Sequence, residues 1–295
     1  MTVLESAILG VIQGLFMFIP VSSSSHLALA QHWLIQNGSA LPPPESPEMV
    51  FFNIVVHVGT VVSILIVYRR ALTGLVARSV ADLRGLVGAG PRTEGLYLKL
   101  MMMGLFAVAV TGVLGLTIRK PLESVFANPA LIALMLCVTG ALLLWTDLLS
   151  PRTKGLRDFT WMMALFIGLA QAMAFAPGLS RSGTTIAIAL LLGLRRRWAA
   201  EFSFFIAIPT IIAGNVLLPI LEPEILSAFD PLPLLTGFVV AAIVGTFSLL
   251  LVLKLLYKAR LRYFSYYVWA LAALILADAY GLVDIGLTGA VMGHP

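Results

Sequence analysis

Six stretches of this chain, roughly 48–68, 97–117, 127–147, 198–219, 233–256 and 263–281, are apolar almost without interruption. Each runs about 19 to 24 residues, enough for a helix to cross the ~30 Å hydrocarbon core of a bilayer with modest tilt. No other feature constrains the fold so tightly. Lipid offers the backbone no hydrogen-bond partners, so segments of this kind must become helices. Composition agrees, with 60% hydrophobic and 11% charged residues. An ordinary soluble domain carries about a quarter charged residues, so a water-facing surface could not be covered here. The sequence predicts an all-α polytopic membrane protein of about six full transmembrane helices, forming a single membrane domain over 1–295.

Two further apolar regions are interrupted near their middles. Region 4–33 breaks at Pro20-Val21-Ser22-Ser23-Ser24-Ser25-His26, and region 160–194 at Pro177-Gly178-Leu179-Ser180-Arg181-Ser182-Gly183. Neither half of either region is long enough to span. Proline ends a helix because it lacks an N–H and clashes with the preceding turn, and the serines that follow suit the N-cap of a second helix. Both regions therefore read as re-entrant helical hairpins, whose exposed backbone at membrane depth must be buried or line a cavity.

The net charge of +5 belongs to residues at the ends of apolar segments, so no nucleic-acid partner is expected. The six-span, two-hairpin path places Arg69, Arg70, Arg78, Arg84, Arg92, Lys99, Arg152, Lys154, Arg157, Arg195, Arg196, Arg197, Lys254, Lys258, Arg260 and Arg262 on one side. The other side receives Arg119 and Lys120 alone, and Arg181 stays inside the membrane. Such a bias marks the first side as cytoplasmic and puts both termini outside. Segment 71–88 carries Leu72, Leu75, Val76, Val80, Leu83 and Leu86 at helical spacing and reads as a helix lying on the cytoplasmic face. The single cysteine, Cys137, excludes an intrachain disulfide or thiolate metal site. The N-terminal residues lack a basic stretch and do not read as a cleaved signal peptide.

The broken regions resemble each other. Gln13, Phe18, Pro20 and a serine cluster in the first answer to Gln171, Phe175, Pro177 and Ser180-Arg181-Ser182 in the second. Each precedes a span that begins with phenylalanines, Phe51-Phe52 and Phe202-Ser203-Phe204-Phe205. Entering from opposite sides, they form an inverted repeat, about 1–147 and about 148–295. Architectures of this type place their site at the midplane, where helix breaks meet.

The breaks hold nearly all the polar side chains within the membrane. Arginine at such depth is a functional-site hypothesis by default. Arg181 begins a half-helix, and helix N-termini offer free N–H groups to anions. Guanidinium geometry suits phosphate. Ser22 to Ser25 add hydroxyls, and His26 a group able to move protons. Singly, each residue has a plainer reading: the serines as caps, His26 as a packed side chain, Arg181 as a partner for carbonyls. Their joint occurrence points to an intramembrane anion site. Met17 reads as core packing, and Gln13 either pairs with backbone or reaches the site. Asn53 and His57, one turn apart, either line the cavity or bond a neighbouring helix. Glu201 is expected to pair with Arg195, Arg196 or Arg197.

Two stretches carry a family resemblance. Gly10-Val11-Ile12-Gln13-Gly14-Leu15 with Phe18-Ile19-Pro20-Val21-Ser22-Ser23-Ser24-Ser25-His26-Leu27 resembles the first motif of the undecaprenyl-diphosphate phosphatases, the bacitracin-resistance family. Pro177-Gly178-Leu179-Ser180-Arg181-Ser182-Gly183-Thr184-Thr185 is similar to the second motif. The resemblance covers nearly the whole chain. It implies an inverted repeat with two re-entrant hairpins in the bacterial inner membrane, a site open to the periplasmic side, and a divalent cation, Mg²⁺ or Ca²⁺. It implies removal of the terminal phosphate of a polyprenyl diphosphate carrier lipid, recycled for cell-wall synthesis. By motif, Ser23 matches the nucleophile, His26 the catalytic histidine and Arg181 the phosphate-binding arginine, with Ser180, Ser182 and Thr185 as neighbours of that arginine. Gln13, Ser22, Ser24 and Asn53 complete the expected substrate-binding set.

The sequence departs from the family at three points. Met17 stands where the first motif has its second glutamate, Asn53 occupies an often acidic position, and Ser25 replaces a usual glycine. Two carboxylates able to hold a metal are thus absent, and Mg²⁺ prefers carboxylate and water ligands. The expected function is lipid diphosphate hydrolysis. The alternative is a non-catalytic polyprenyl-phosphate transporter or binding protein, and a homodimer is compatible with the small residues on several spans.

Overall fold

The computed structural model describes residues 1–44, 46–91, 93–126, 128–148, 152–221, 223, 230–258 and 261–283. Of the basic residues that orient the chain, Arg92 and Arg260 lie outside the described residues. The described chain is helical: α1 Val3–Phe16, α2 Ser23–Gln36, α3 Pro47–Val67, α4 Arg69–Leu86, α5 Leu96–Phe126, α6 Pro129–Leu148, α7 Trp161–Met173, α8 Arg181–Leu191, α9 Arg196–Leu221, α10 Pro231–Lys258 and α11 Arg262–Ala279, with a 3₁₀ turn at Leu156–Asp158.

Among the described residues, α3, α5, α6, α9 and α10 are each long and apolar enough to cross a membrane. The sixth expected span, α11, falls short on composition. Arg262, Tyr263, Ser265, Tyr266 and Tyr267 fill its first two turns. One of these tyrosines, Tyr267, bonds His26.

The two broken regions become helix pairs. α1 and α2 have 14 residues each, and α7 and α8 have 13 and 11. At ~1.5 Å per residue each covers about 16–21 Å, well short of a full crossing. Capping fixes their outer ends: Thr2 and Glu5 form a reciprocal capping box at α1, and the Thr160 hydroxyl accepts the Met163 N–H at α7.

Packing is crosswise. α1 and α3 lie against α10, while α7 and α9 lie against α5; α3 meets α9, and α6 meets α11. Apolar side chains gain nothing from leaving lipid for protein, so close backbone approach and interhelical hydrogen bonds must hold such contacts. Both devices recur at the α1–α10 and α5–α7 contacts. A β-carbon at Gly10 would stand 2.8 Å from the Gly237 carbonyl oxygen on α10, and one at Gly168 would stand 2.6 Å from that of Ala107 on α5. The Ser248 hydroxyl on α10 donates to the Leu15 carbonyl at 2.8 Å, and the Thr111 hydroxyl on α5 donates to the Gly168 carbonyl at 3.0 Å.

α4 matches the expected helix at 71–88 and lies beside the start of α5. Its buried positions are Ser79 and Asp82, whereas Val76, Val80 and Leu83 are exposed. Ser79 and Asp82 thus face protein together with Leu72, while Val76, Val80 and Leu83 face outward, as in a helix lying at a membrane surface. Asp82 Oδ2 accepts the N–H groups of Tyr97 and Leu98, capping α5 from a neighbouring helix. The Thr93 hydroxyl and these N–H groups hold the Asp82 carboxyl below its ordinary range.

Candidate functional site

The breaks at 17–22 and 174–180 meet between the two helix pairs. The Gly178 N–H donates to Ser22 Oγ at 3.2 Å, the Ser182 hydroxyl donates to the Ile19 carbonyl at 3.4 Å, and Arg181 Nη2 lies 3.6 Å from Met17 Sδ. Two segments more than 150 residues apart in sequence are thereby joined at their turns.

Each break is held by its surroundings. Gly178 has φ +94, and a β-carbon there would stand 2.5 Å from the Ile132 carbonyl oxygen of α6. Only glycine satisfies both conditions. Thr139 of α6 donates its hydroxyl to the Gly178 carbonyl at 2.8 Å and accepts the Ser180 N–H at 3.1 Å. Ser180 caps α8 through the Gly183 N–H, as the sequence predicts. No hydrogen-bond acceptor among the described residues takes the N–H groups of Arg181 or Ser182, which leaves an anion-binding helix end.

At the first break the expected serine cap does not form. Ser22 occupies the cap position with φ 68 and ψ 87, and its side chain makes no cap bond. Its hydroxyl instead meets Ser25 Oγ at 3.0 Å, Ser24 Oγ at 3.3 Å and the Gly178 N–H. Ser22 joins the two breaks. Ser23, the first residue of α2, is half-buried, and its hydroxyl has no hydrogen-bond partner among the described residues.

His26 is fixed at both ring nitrogens. Nδ1 lies 2.7 Å from the Ser22 carbonyl oxygen and Nε2 lies 2.8 Å from the Tyr267 hydroxyl. A carbonyl accepts only, so Nδ1 carries the proton and Nε2 accepts from the Tyr267 O–H. Phe16 stacks on the imidazole at 4.0 Å between ring centres. No hydrogen bond joins the ring to Ser23 among the described residues.

Arg181 is partly exposed and has no carboxylate within ion-pair distance among the described residues. Met17 is 4% exposed, and its packing agrees with the reading from sequence. Its sulfur has a second role, since Gln13 Nε2 also approaches it at 3.3 Å. Gln13 is fully buried, and its Oε1 has no hydrogen-bond partner among the described residues. Asn53 is directed elsewhere: its Oδ1 accepts from Gln31 Nε2 at 2.8 Å and its carbonyl from His57 Nδ1 at 2.6 Å. Thr185 returns its hydroxyl to the Arg181 carbonyl at 2.7 Å. Glu201 pairs with Arg197 at 2.8 Å, as expected.

A divalent cation does not suit this donor set. Among the described residues no three His, Cys, Asp or Glu side chains come together. Around the breaks the available side-chain groups are hydroxyls, one imidazole, a neutral amide, a thioether and a guanidinium. Hard cations need several oxygen ligands, carboxylates foremost.

Sequence reasoning missed Tyr267, Phe16 and Thr139. Tyr267 lies 241 residues from His26, beyond any spacing rule. Its one signal was the run of tyrosines that interrupts the last apolar segment.

The sequence profile of the bacitracin resistance protein BacA family matches residues 6–274. The chain is 51% identical over 284 residues to the undecaprenyl-diphosphatase of Halorhodospira halophila, covering 95% of this chain and 98% of that one. It is 51% identical to that of Alkalilimnicola ehrlichii, over 95% and 97% of the two chains. It is 34% identical to that of Alkaliphilus metalliredigens, over 94% and 98%.

Proposed function

Because this chain belongs to the bacitracin resistance protein BacA family, we propose that it is an undecaprenyl-diphosphate phosphatase that removes the terminal phosphate from its carrier lipid within the membrane. The observation that carries the assignment of the site is the meeting of the two breaks, with the Arg181 guanidinium and the N-termini of α2 and α8 around one point. A diphosphate is the anion that such a cationic, hydroxyl-lined junction recognises. Its polyprenyl tail would remain in lipid.

The chemistry follows from the side chains. Arg181 and the free N–H groups of α8 stabilise charge on the transferred phosphoryl, which is the main demand of such a transition state. Ser23, with a free hydroxyl at a helix N-terminus, attacks phosphorus or positions a water that does so. The P–O bond to the bridging oxygen breaks, and polyprenyl monophosphate leaves with that oxygen; where Ser23 is the nucleophile, water then attacks the phosphoserine, its bond to Ser23 Oγ breaks and phosphate is released. His26 takes the nucleophile's proton at Nε2, the nitrogen bearing the lone pair, which the Tyr267 hydroxyl holds in position until the nucleophile takes its place. Gln13 Oε1 offers a buried acceptor to a phosphate O–H or an ordered water. Ser180, Ser182, Ser22 and Ser24 shape the cradle. Asn53 and Thr185 act behind it, through Gln31 and the α8 backbone.

The crosswise packing of α1 with α10 and α7 with α5 supports an inverted repeat. The basic-residue bias supports an inner-membrane protein with its N-terminus toward the periplasm, the side to which the family resemblance assigns the site, and a homodimer is compatible with this arrangement. Hydrolysis of undecaprenyl diphosphate by the purified protein, in chelator and in Mg²⁺ or Ca²⁺, tests the reading. Arg181→Ala lowers turnover by about 10²–10³-fold in every condition, the scale of losing one transition-state donor. Ser23→Ala lowers it as well. Folded protein that binds the lipid without releasing phosphate would instead make this a carrier or binding protein.

A further inference from the structure

A groove of about 460 Å³ opens between α4, α5 and α9, at the end of the bundle that carries the basic loops. It shares no lining residue with the two breaks. Its walls are apolar, formed by Leu75, Leu100, Met101, Leu105, Phe202 and Phe205. Its floor at Gly104 has room for a β-carbon in ordinary contact, with Ile206 Cγ2 at 3.8 Å and Phe202 Cε2 at 4.0 Å. Lining positions extend along α9 from Arg197 to Pro209, about 18 Å of helix. One leaflet of the hydrocarbon core is about 15 Å deep, so the groove is deep enough for an acyl chain and too short to enclose a long polyprenyl chain.

The mouth is basic. Arg70, Arg78 and Arg197 line it, with Glu201 as the one acid in the lining. Glu201 is engaged by Arg197. Arg70 and Arg78 are exposed and have no carboxylate within ion-pair distance among the described residues. Asp82, one turn beyond Arg78, is turned to the N–H groups that begin α5. The outward apolar side of α4, with Val76 53% and Leu83 50% exposed, sets this helix at headgroup level. Basic pockets between helices at such a level recognise anionic headgroups. A second copy of the chain would bring the same positive charge and be repelled.

We propose that this groove binds one anionic glycerophospholipid, its acyl chain between α5 and α9 and its headgroup phosphate against Arg70 and Arg78. The test uses the full-length protein in nanodiscs of phosphatidylglycerol and phosphatidylcholine with identical acyl chains, followed by gentle release and native mass spectrometry. The wild type retains one phosphatidylglycerol, favoured at least ~10-fold over phosphatidylcholine. Arg70→Gln and Arg70→Gln/Arg78→Gln bring the two lipids toward parity, and Gly104→Phe reduces retention of both. Arg78 stacks on and bonds Tyr97, so the Arg70 single variant, which leaves that contact alone, guards against a misfolded double variant. An unchanged melting temperature in detergent certifies each. Equal retention of the two lipids by the wild type, or an undiminished preference in folded Arg70→Gln/Arg78→Gln, overturns the proposal. Displacement of the lipid, mole for mole, by added polyprenyl monophosphate would overturn it too and assign the groove to the reaction product.

Discussion

Ser22 holds φ 68 and ψ 87 although it carries a side chain, a conformation costing about 1–2 kcal/mol relative to the usual regions. Three contacts fix it: the Ser25 hydroxyl, the Gly178 N–H and the His26 ring on its carbonyl. Strain of this kind persists where the surroundings over-determine it, and such places are commonly functional. Here the outcome is a carbonyl aimed at His26 Nδ1, which fixes the tautomer, while Tyr267 holds Nε2. Tyr267 is thus a positioning residue. Tyr267→Phe keeps the ring and removes the hydroxyl, so kcat for lipid diphosphate hydrolysis should fall about tenfold, the low end of acid–base contributions, with KM unchanged. A purely structural role would move the melting temperature and leave kcat alone.

Among the elements, the basic end is tied together by one buried carboxylate. Asp147 of α6 is 1% exposed and meets Arg196 of α9 at 2.8 Å and Arg262 of α11 at 3.6 Å; its Oδ2 also accepts the Arg262 N–H at 3.0 Å. It sits where three helices converge. Asp147→Ala leaves two guanidiniums facing each other, partly exposed, and should destabilise the protein by about 3 kcal/mol, the low end for breaking a buried pair. Thermal unfolding in detergent reads that loss. Asp82 performs a similar task for α4 and α5. Its carboxyl is held below the usual range, so its contribution is complete above the unfolded-state value and is lost as pH falls through the lower folded value.

Across the whole molecule, the path of the chain through the membrane follows from charge. In a Cys137→Ser background, Thr2→Cys should react with an impermeant maleimide in cells whose inner membrane is intact. Arg157→Cys, exposed at the basic end, should react only after that membrane is permeabilised. The reverse pattern would invert the topology and turn the site toward the cytoplasm. Much of this architecture was legible in sequence because bilayer thickness sets span length and the breaks carry proline and polar residues in lipid-length segments. Arg181 stood out because charge at that depth is costly. The family motifs pointed to Ser23 and His26 by position. Only the tertiary structure decided what the side chains face. Ser22 lost its cap role to a left-handed turn that joins the two breaks. Asn53 turned to Gln31. Met17 became the apolar neighbour of a guanidinium, and Tyr267 reached His26 from a helix 241 residues away. Sequence specifies which segments must be helical and apolar, since each segment meets lipid on its own terms. Hydrogen-bond partners depend on where separate helices cross, and that is settled by close packing between segments that no local pattern links.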